Sequence, residues 1–93
     1  MSYKKLFNKE TIDQQSSYKA HGYKLFNIHG ELLYVGIAQS GRINERLLEH
    51  KNSSEFGEEV THFVTEEFSD IDQAREWEER VIQKENPKFN KQG

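Results

Sequence analysis

The chain has 93 residues, a formal net charge of −3 and no cysteine. This length allows one domain with a modest core, and the lack of cysteine excludes both a disulfide framework and a thiolate metal site. Apolar residues make up 33% of the chain and charged residues 31%, and no apolar run is long enough to span a membrane. We therefore expect one globular domain, cytoplasmic by default.

Charge is divided unevenly along the chain. Residues 1–54 carry eight Lys and Arg against five acids, a net of +3, whereas residues 55–93 carry five bases against eleven acids, a net of −6. A basic first half could present one face to nucleic acid even though the total charge is acidic. The alternative is that both halves are simply solvated, and charge alone favours that alternative.

The first half of the chain predicts a short N-terminal element followed by a hairpin. Residues 1–20 show no clean periodicity and predict an N-terminal arm or a short helix. Residues 22–38 predict two strands, because runs rich in Tyr, Phe, Leu and Val flank the turn-forming sequence NIHG at 27–30. The sequence RINERLLEHK at 42–51 then predicts a helix.

The second half predicts a third strand and a second helix. The strand is expected within residues 59–68, where Thr, Val and Phe favour extended structure. Ser69 and Asp72 form a capping-box pattern that would open a helix running to about Glu85, and Pro87 would close it. The order β-β-α-β-α predicts an α+β domain.

Two tyrosines occupy matched places in the predicted hairpin. Tyr23 lies in its first strand and Tyr34 in its second, where Val35 and Gly36 follow at once. Two phenols on adjacent strands are explained either by cross-strand packing or by a site that cleaves phosphodiesters. In the second case we expect both side chains to project from one side of the strands.

The first predicted helix carries a row of basic side chains. Arg42, Arg46 and His50 are spaced by four and therefore lie on one helix face. Such a row could clamp a phosphate, because a guanidinium group offers two parallel donors. The alternative is a solvated face on which Glu45 and Glu49 are the ionic partners.

The second predicted helix places a carboxylate among apolar side chains. At about 100° per residue, Glu78 falls inside the apolar arc of this helix. A carboxylate on a core-facing side is costly unless it is paired or bound to a cation. Glu78 therefore either reaches a buried arginine or holds a metal ion. The arc consists of Ile71, Ala74, Trp77, Val81 and Ile82.

A glutamate, an arginine and two tyrosines form a coherent set for phosphodiester hydrolysis. The carboxylate is a hard ligand for Mg²⁺, and the ion would offset charge on the scissile phosphate and the leaving oxygen. The arginine would stabilise the other phosphate oxygens. A tyrosine whose pKa is lowered by nearby cations could take a proton from water.

These motifs together resemble the GIY-YIG nuclease domain family. The first signature is represented by His21-Gly22-Tyr23, which keeps only the tyrosine, and the second by Tyr34-Val35-Gly36. The resemblance covers about residues 21–90 and implies that residues 21–93 form the domain. It also implies a small three-stranded antiparallel sheet flanked by helices. The remaining matches are the Arg46-to-His50 spacing, Ala74-Arg75-Glu76-Trp77-Glu78 followed by Ile82, and Pro87-Lys88-Phe89-Asn90.

The resemblance also implies a role for each residue of the site. Tyr23 and Tyr34 would flank the attacking water, with Tyr23 as general base. Gly36 would let the backbone pass close to this cluster. Arg46 would stabilise the phosphate, with Arg42 as a rival, and Asn90 would hydrogen-bond within the site and fix its geometry. The full predicted catalytic set is Tyr23, Tyr34, Arg46, His50, Glu78 and Asn90.

The implied activity is that of a stand-alone DNA endonuclease that depends on a divalent metal. Glu78 would hold one Mg²⁺ or Mn²⁺, and His50 would assist at the phosphate or relay a proton. The alternative is a catalytically inactive module of the same fold that binds nucleic acid or a protein partner. A second copy or a partner protein could supply specificity. The predicted DNA contacts are Arg42, Arg46, Lys51 and Lys24.

Overall fold

The structure is a computed structural model, and it describes residues 4–15, 18–53 and 56–90. Within these described ranges, four antiparallel strands form one sheet with the order β1-β4-β2-β3. Among the described residues, no helix is both long and apolar enough to cross a membrane. The elements are β1 (Lys5–Leu6), α1 (Lys9–Asp13), β2 (Ala20–Phe26), β3 (Leu32–Ala38), α2 (Ile43–Ser53), β4 (His62–Phe68) and α3 (Ile71–Glu85).

The prediction of an α+β domain with an antiparallel sheet flanked by helices is confirmed, but the sheet has four strands where three were predicted. The additional strand is β1, whose two residues pair with Phe63 and His62 of β4. A strand of two residues is too short to show the alternation by which strands are recognised in a sequence.

The N-terminal segment contributes to the core of the sheet. Phe7 and Ile12 are buried in the same cluster as the sheet residues Leu25 and Phe63. The short helix predicted within residues 1–20 corresponds to α1. The division into an arm at 1–20 and a domain at 21–93 stays a prediction.

The β2–β3 hairpin has the predicted position and turn. The Asn27 side-chain oxygen accepts hydrogen bonds from the backbone N–H groups of His29 and Glu31, at 3.0 and 2.9 Å. Gly30 adopts a φ of 80°, a conformation that costs glycine little. This local chemistry reverses the chain and sets β3 beside β2.

Helices cover both faces of the sheet. Consecutive strand residues point to opposite faces, so Gly22 and Tyr23 of β2 mark the two sides. On the Gly22 side lies α3, whose Trp77 ring occupies the space that a side chain at position 22 would need. On the Tyr23 side, Ile12 of α1 and Leu47 of α2 are buried in the main core cluster.

The N-cap of α3 lies one residue later in the chain than the capping-box pattern predicts. Its N-cap is Asp70, whose carboxylate accepts a hydrogen bond from the Gln73 N–H at 2.9 Å. The Gln73 side chain in turn accepts from the Ser69 N–H at 3.1 Å. Asp70, a residue type strongly preferred at the N-cap, therefore takes the capping role predicted for Ser69. The Gln73 side chain takes the role predicted for Asp72, that of accepting a backbone N–H at the start of the helix.

Candidate active site

The two tyrosines lie on the same face of adjacent strands, as predicted. Tyr23 pairs with Gly36 across the hairpin and Tyr34 pairs with Leu25, which places the two phenols on a diagonal with ring centroids 6.3 Å apart. A Cβ atom at position 36 would overlap the Tyr23 hydroxyl and ring. Glycine at this position therefore lets the Tyr23 side chain lie across β3, beside Tyr34.

Tyr23 is completely buried and is hydrogen-bonded to His50. Its hydroxyl lies 2.8 Å from His50 Nε2. Burial raises the Tyr23 pKa, Tyr34 raises it further, and Arg46 opposes both effects. Burial also lowers the His50 pKa, as does the charge of Arg46. The Arg46 cation does lower the pKa of Tyr23, but burial outweighs it, so the net shift of this phenol is upward.

Tyr34 is half-buried and lies within the field of two charged site residues. Burial raises its pKa, the Glu78 carboxylate raises it further, and Arg46 lowers it. The Tyr34 ring centroid is 4.7 Å from that of His50. The ring contact and the two charge effects show that His50, Arg46 and Glu78 all lie around Tyr34, at the edge of the sheet formed by β3. No such effect of Arg42 is resolved, so Arg46 is the arginine of the pair that acts on both tyrosines.

Glu78 is half-buried and has neither a hydrogen bond nor an ion pair within the part of the chain that the structure describes. Burial raises its pKa, and the charges of Arg75 and Glu79 act in opposite directions. Arg75 is itself exposed and paired with Asp72 at 3.3 Å. The buried arginine partner considered for Glu78 is therefore absent among the described residues.

The donor set around Glu78 fits a hydrated Mg²⁺ better than a fully caged ion. Among residues 4–15, 18–53 and 56–90 there is no group of three or more His, Cys, Asp or Glu side chains able to hold a metal. Glu78 would therefore share an ion with at most one further side chain of these types among the described residues. Mg²⁺ loses its water reluctantly and commonly binds through one or two carboxylates while keeping several waters, which suits this site.

A cleft of about 250 Å³ lies between α2 and α3, and three arginines line it. Arg42 immediately precedes α2, Arg46 lies in the first half of α2, and Arg75 comes from α3. Each is already paired with an acid of its own helix: Arg42 with Glu45, Arg46 with Glu49 and Arg75 with Asp72. Such exposed pairs are weak, so a phosphate could replace the carboxylates.

Arg75 is the cleft residue that the sequence reasoning missed. It lies one helical turn before Glu78, and this i, i+3 spacing is the signal that could have found it. An arginine adds nothing to an apolar arc, so the arc that singles out Glu78 on α3 does not identify Arg75. Only the approach of α2 shows that Arg75 and Arg46 line the same cleft.

Two of the predicted DNA contacts lie away from this cleft. The Lys24 ammonium donates to Glu85 at 3.0 Å, on the α3 side of the sheet. Lys51 lies near the end of α2, with its ammonium 5.7 Å from the centroid of the Phe7 ring. Lys24 follows Tyr23 directly and therefore points to the opposite face of the strand, so the two predicted site residues are separated.

Asn90 contacts the backbone of the edge strand. Its side-chain oxygen accepts a hydrogen bond from the Val35 N–H at 2.7 Å, and its NH₂ group donates to the Val35 carbonyl at 2.9 Å. The amide thus pairs with β3 as a neighbouring strand would. The predicted hydrogen bond of Asn90 is made to the residue after Tyr34, and to none of the predicted catalytic side chains.

Comparisons with known proteins identify the family and the fold of the chain. The family model described as the GIY-YIG catalytic domain matches residues 19–92. The GIY-YIG N-terminal endonuclease domain of UvrC from Thermotoga maritima, solved bound to its catalytic divalent cation, magnesium, is 26% identical. The match has a TM-score of 0.72 and covers 90% of this chain and 100% of that chain.

Two variants of the same UvrC domain, also solved with the catalytic divalent cation, match similarly. The first, an asparagine-to-alanine variant, is 25% identical with a TM-score of 0.73, and 91% of this chain and 100% of that chain are covered. The second, a tyrosine-to-phenylalanine variant, is 27% identical with a TM-score of 0.72 and the same coverage. No curated protein matches the chain significantly.

Proposed function

The chain belongs to the GIY-YIG catalytic domain family, and we propose that it is a divalent-metal-dependent DNA endonuclease. The observation that carries the proposal is the half-buried Glu78 carboxylate, which lacks an ionic partner among the described residues and acts on both tyrosines. An inactive copy would have no need of such a costly group. The similar UvrC domain is described as binding a catalytic divalent cation.

In this proposal Glu78 holds one Mg²⁺ or Mn²⁺ and Arg46 donates to the scissile phosphate. A bound divalent ion would offset phosphate charge and, by neutralising Glu78, would remove one cause of the raised Tyr34 pKa. Arg46 would leave its exposed pair with Glu49 to donate to phosphate oxygens, where charge accumulates in the transition state. Arg42 and Arg75 would hold the flanking phosphates.

The role of general base moves from Tyr23 to Tyr34. A base must reach the water whose proton it takes, and Tyr23 is 0% exposed whereas Tyr34 is only half-buried. Tyr34 would orient the attacking water and, once its own hydroxyl proton has passed to an acceptor such as the His50 imidazole, would accept the proton of that water. Tyr23 would hold His50 through the 2.8 Å hydrogen bond, and in the tautomer whose Nε2–H donates to the Tyr23 oxygen, Nδ1 of the neutral imidazole would be the proton acceptor.

The test is nicking of supercoiled plasmid by highly purified protein, with and without Mg²⁺. We expect the wild type to nick only with the ion, and Glu78→Gln to bind DNA without nicking, because binding is mainly attraction between phosphates and cations. The control is Glu76→Gln, an exposed glutamate of the same helix, which should nick like the wild type.

The same nicking assay can contradict the enzyme proposal. If the wild type shows no metal-dependent cleavage of supercoiled, branched or single-stranded DNA, the proposal fails. DNA binding without cleavage would then favour the inactive binding module. A cytoplasmic location, and a second copy or partner protein that supplies specificity, stay predictions.

A further inference from the structure

Two phenylalanines outside the predicted catalytic set complete a row of rings at the site. Phe56, in the turn after α2, stacks on Phe89 of the C-terminal tail, with ring centroids 4.6 Å apart and planes only 6° apart. Phe56 also contacts two site residues, with centroid distances of 5.4 Å to Tyr34 and 5.8 Å to His50. The tail ring is thus connected to the site through Phe56.

Phe89 is held in place by the edge strand. Its backbone N–H donates to the Leu33 carbonyl at 2.7 Å, and the Lys88 N–H donates to the Leu32 carbonyl at 3.3 Å. On its other side, the Asn90 amide makes two hydrogen bonds to Val35. Three consecutive tail residues are therefore anchored on the strand that carries Tyr34, and the Phe89 ring has a defined position relative to that strand.

At the other end of this row of rings, His50 connects Phe56 to the buried Tyr23. His50 contacts Phe56 on one side and is hydrogen-bonded to Tyr23 on another. Because α2 carries His50 while β3 carries Tyr34, the distance between these two rings depends on how α2 sits against the sheet. Phe56 follows α2 in the chain and packs against both rings, so it is placed to hold the helix end against the strand.

We infer that Phe56 and Phe89 are positioning residues, and that their stack holds Tyr34 and His50 in the geometry that cleavage requires. Neither phenyl ring has a proton to exchange or a lone pair to donate, so their contribution is geometric and water-excluding. The inference rests on the proposed nuclease function for its kinetic consequence. The predicted coupling of the tail to His50 can be tested without that function.

The test compares Phe56→Leu and Phe89→Leu, which keep apolar bulk but remove the stack, with a matched control. The control is Phe68→Leu: Phe68 is also half-buried and also packs on an aromatic ring, that of Trp77 at 5.6 Å, but on the opposite side of the sheet. Phe89→Tyr keeps an aromatic ring at position 89 and is the conservative variant with which Phe89→Leu is compared. The readouts are kcat and KM for plasmid nicking, Tm, and the NMR titration of His50.

We expect both stack variants to lower kcat by roughly ten- to a hundredfold with little change in KM, the scale of a misplacement of about 1 Å. The His50 pKa should rise, because burial is the largest cause that lowers it, while Arg46, Glu49 and the Tyr23 hydroxyl stay in place. Phe68→Leu should lower Tm only. Phe89→Tyr should restore both kcat and the His50 titration.

The inference is overturned if the stack variants lower Tm like the control while kcat and the His50 titration do not change. If Phe89→Leu does not fold, Phe56→Leu decides. If the wild type does not cleave DNA, the proposed function fails on its own, and the titration decides the coupling. A shift of the His50 titration in Phe56→Leu and Phe89→Leu, but not in Phe68→Leu, supports the coupling of the tail to His50. An unchanged His50 titration in the stack variants overturns it.

Discussion

Tyr23 and Tyr34 are chemically identical, but their surroundings differ, and the tasks that we propose for them differ accordingly. Tyr23 is enclosed by the core and by Gly36, and its hydroxyl is hydrogen-bonded to His50. Tyr34 is half-buried beside Arg46 and Glu78. A buried phenol can fix a neighbour but cannot meet water, so burial is the property that separates the two roles.

Replacing each tyrosine by phenylalanine should separate these roles kinetically. We expect Tyr34→Phe to lower the single-turnover cleavage rate by about 10²- to 10⁴-fold, the usual contribution of a general base. Tyr23→Phe should lower it less and should change the NMR titration of His50. Tyr18→Phe, at a residue that is 74% exposed, is the control and should do neither. A larger rate loss in Tyr23→Phe than in Tyr34→Phe would restore the first assignment of the base.

Glu78 should cost the protein stability when no metal is bound, and the cost should depend on pH. Burial raises its folded pKa above the unfolded value of ~4.3. The cost is absent below the unfolded pKa, grows as pH rises to the folded pKa, and is constant above it. Glu78→Gln should therefore raise Tm at pH 7 in metal-free buffer, and the gain should shrink as pH falls towards 4.

Thermal unfolding at a series of pH values measures this effect, with Glu76→Gln as the control on the same helix. Mg²⁺ should raise the Tm of the wild type and leave that of Glu78→Gln unchanged, because only the carboxylate form binds the ion. A fall in Tm at pH 7 for Glu78→Gln, with no response of the wild type to Mg²⁺, would make Glu78 a structural partner.

At the scale of elements, the cleft exists because α2 and α3 cover opposite faces of the sheet and both reach the edge strand. Arg46 faces it from α2 and Arg42 from just before that helix, and Arg75 faces it from α3. Neither helix alone supplies all three arginines. The acidic total of the chain is therefore compatible with one locally basic cleft.

Each cleft arginine should contribute to the salt dependence of DNA binding. In metal-free buffer, Arg42→Ala, Arg46→Ala and Arg75→Ala should each weaken binding and reduce the slope of log affinity against log salt by about one. Lys24→Ala is the control, since Lys24 pairs with Glu85, the last residue of α3, and does not line the cleft. An unchanged slope in Arg75→Ala, or a reduced slope in Lys24→Ala, would show that DNA lies elsewhere on the protein.

At the scale of the whole molecule, the C-terminal tail closes the open edge of the sheet. β3 is the last strand in the order β1-β4-β2-β3, and residues 88–90 provide hydrogen bonds to its outer side. An uncovered edge strand exposes backbone groups that can pair with another chain. The same contacts place the tail beside Tyr34, so closure of the fold and order in the site depend on one segment.

Removing the Asn90 amide should therefore loosen both the edge and the site. We expect Asn90→Ala to lower the free energy of unfolding by about 1–3 kcal/mol, the sum of two hydrogen bonds at ~0.5–1.5 kcal/mol each. Urea unfolding measures this loss, and amide exchange of Val35 reports the edge directly. Asn52→Ala, at an exposed position in α2, is the control. Unchanged exchange at Val35 would mean that the edge does not depend on the Asn90 side chain.

Local patterns in the sequence were enough to determine the order of the main elements and much of the site. The NIHG turn, the alternation in the hairpin and the helical arc around Glu78 depend on residues within a few positions of one another. The same short-range geometry placed both tyrosines on one side of adjacent strands. It failed for β1, which is too short to carry a pattern, and it misplaced the cap of α3 by one residue.

Only the tertiary structure decided burial and partners. Tyr23 is sealed from solvent by the core while Tyr34 is not, Lys24 pairs with Glu85 at the end of α3 and does not line the cleft, and Arg75 lines the same cleft as Arg46. Asn90 pairs with Val35, 55 positions away in the chain. These outcomes depend on how segments distant in sequence pack together, and no local periodicity encodes which face of a strand another helix will cover.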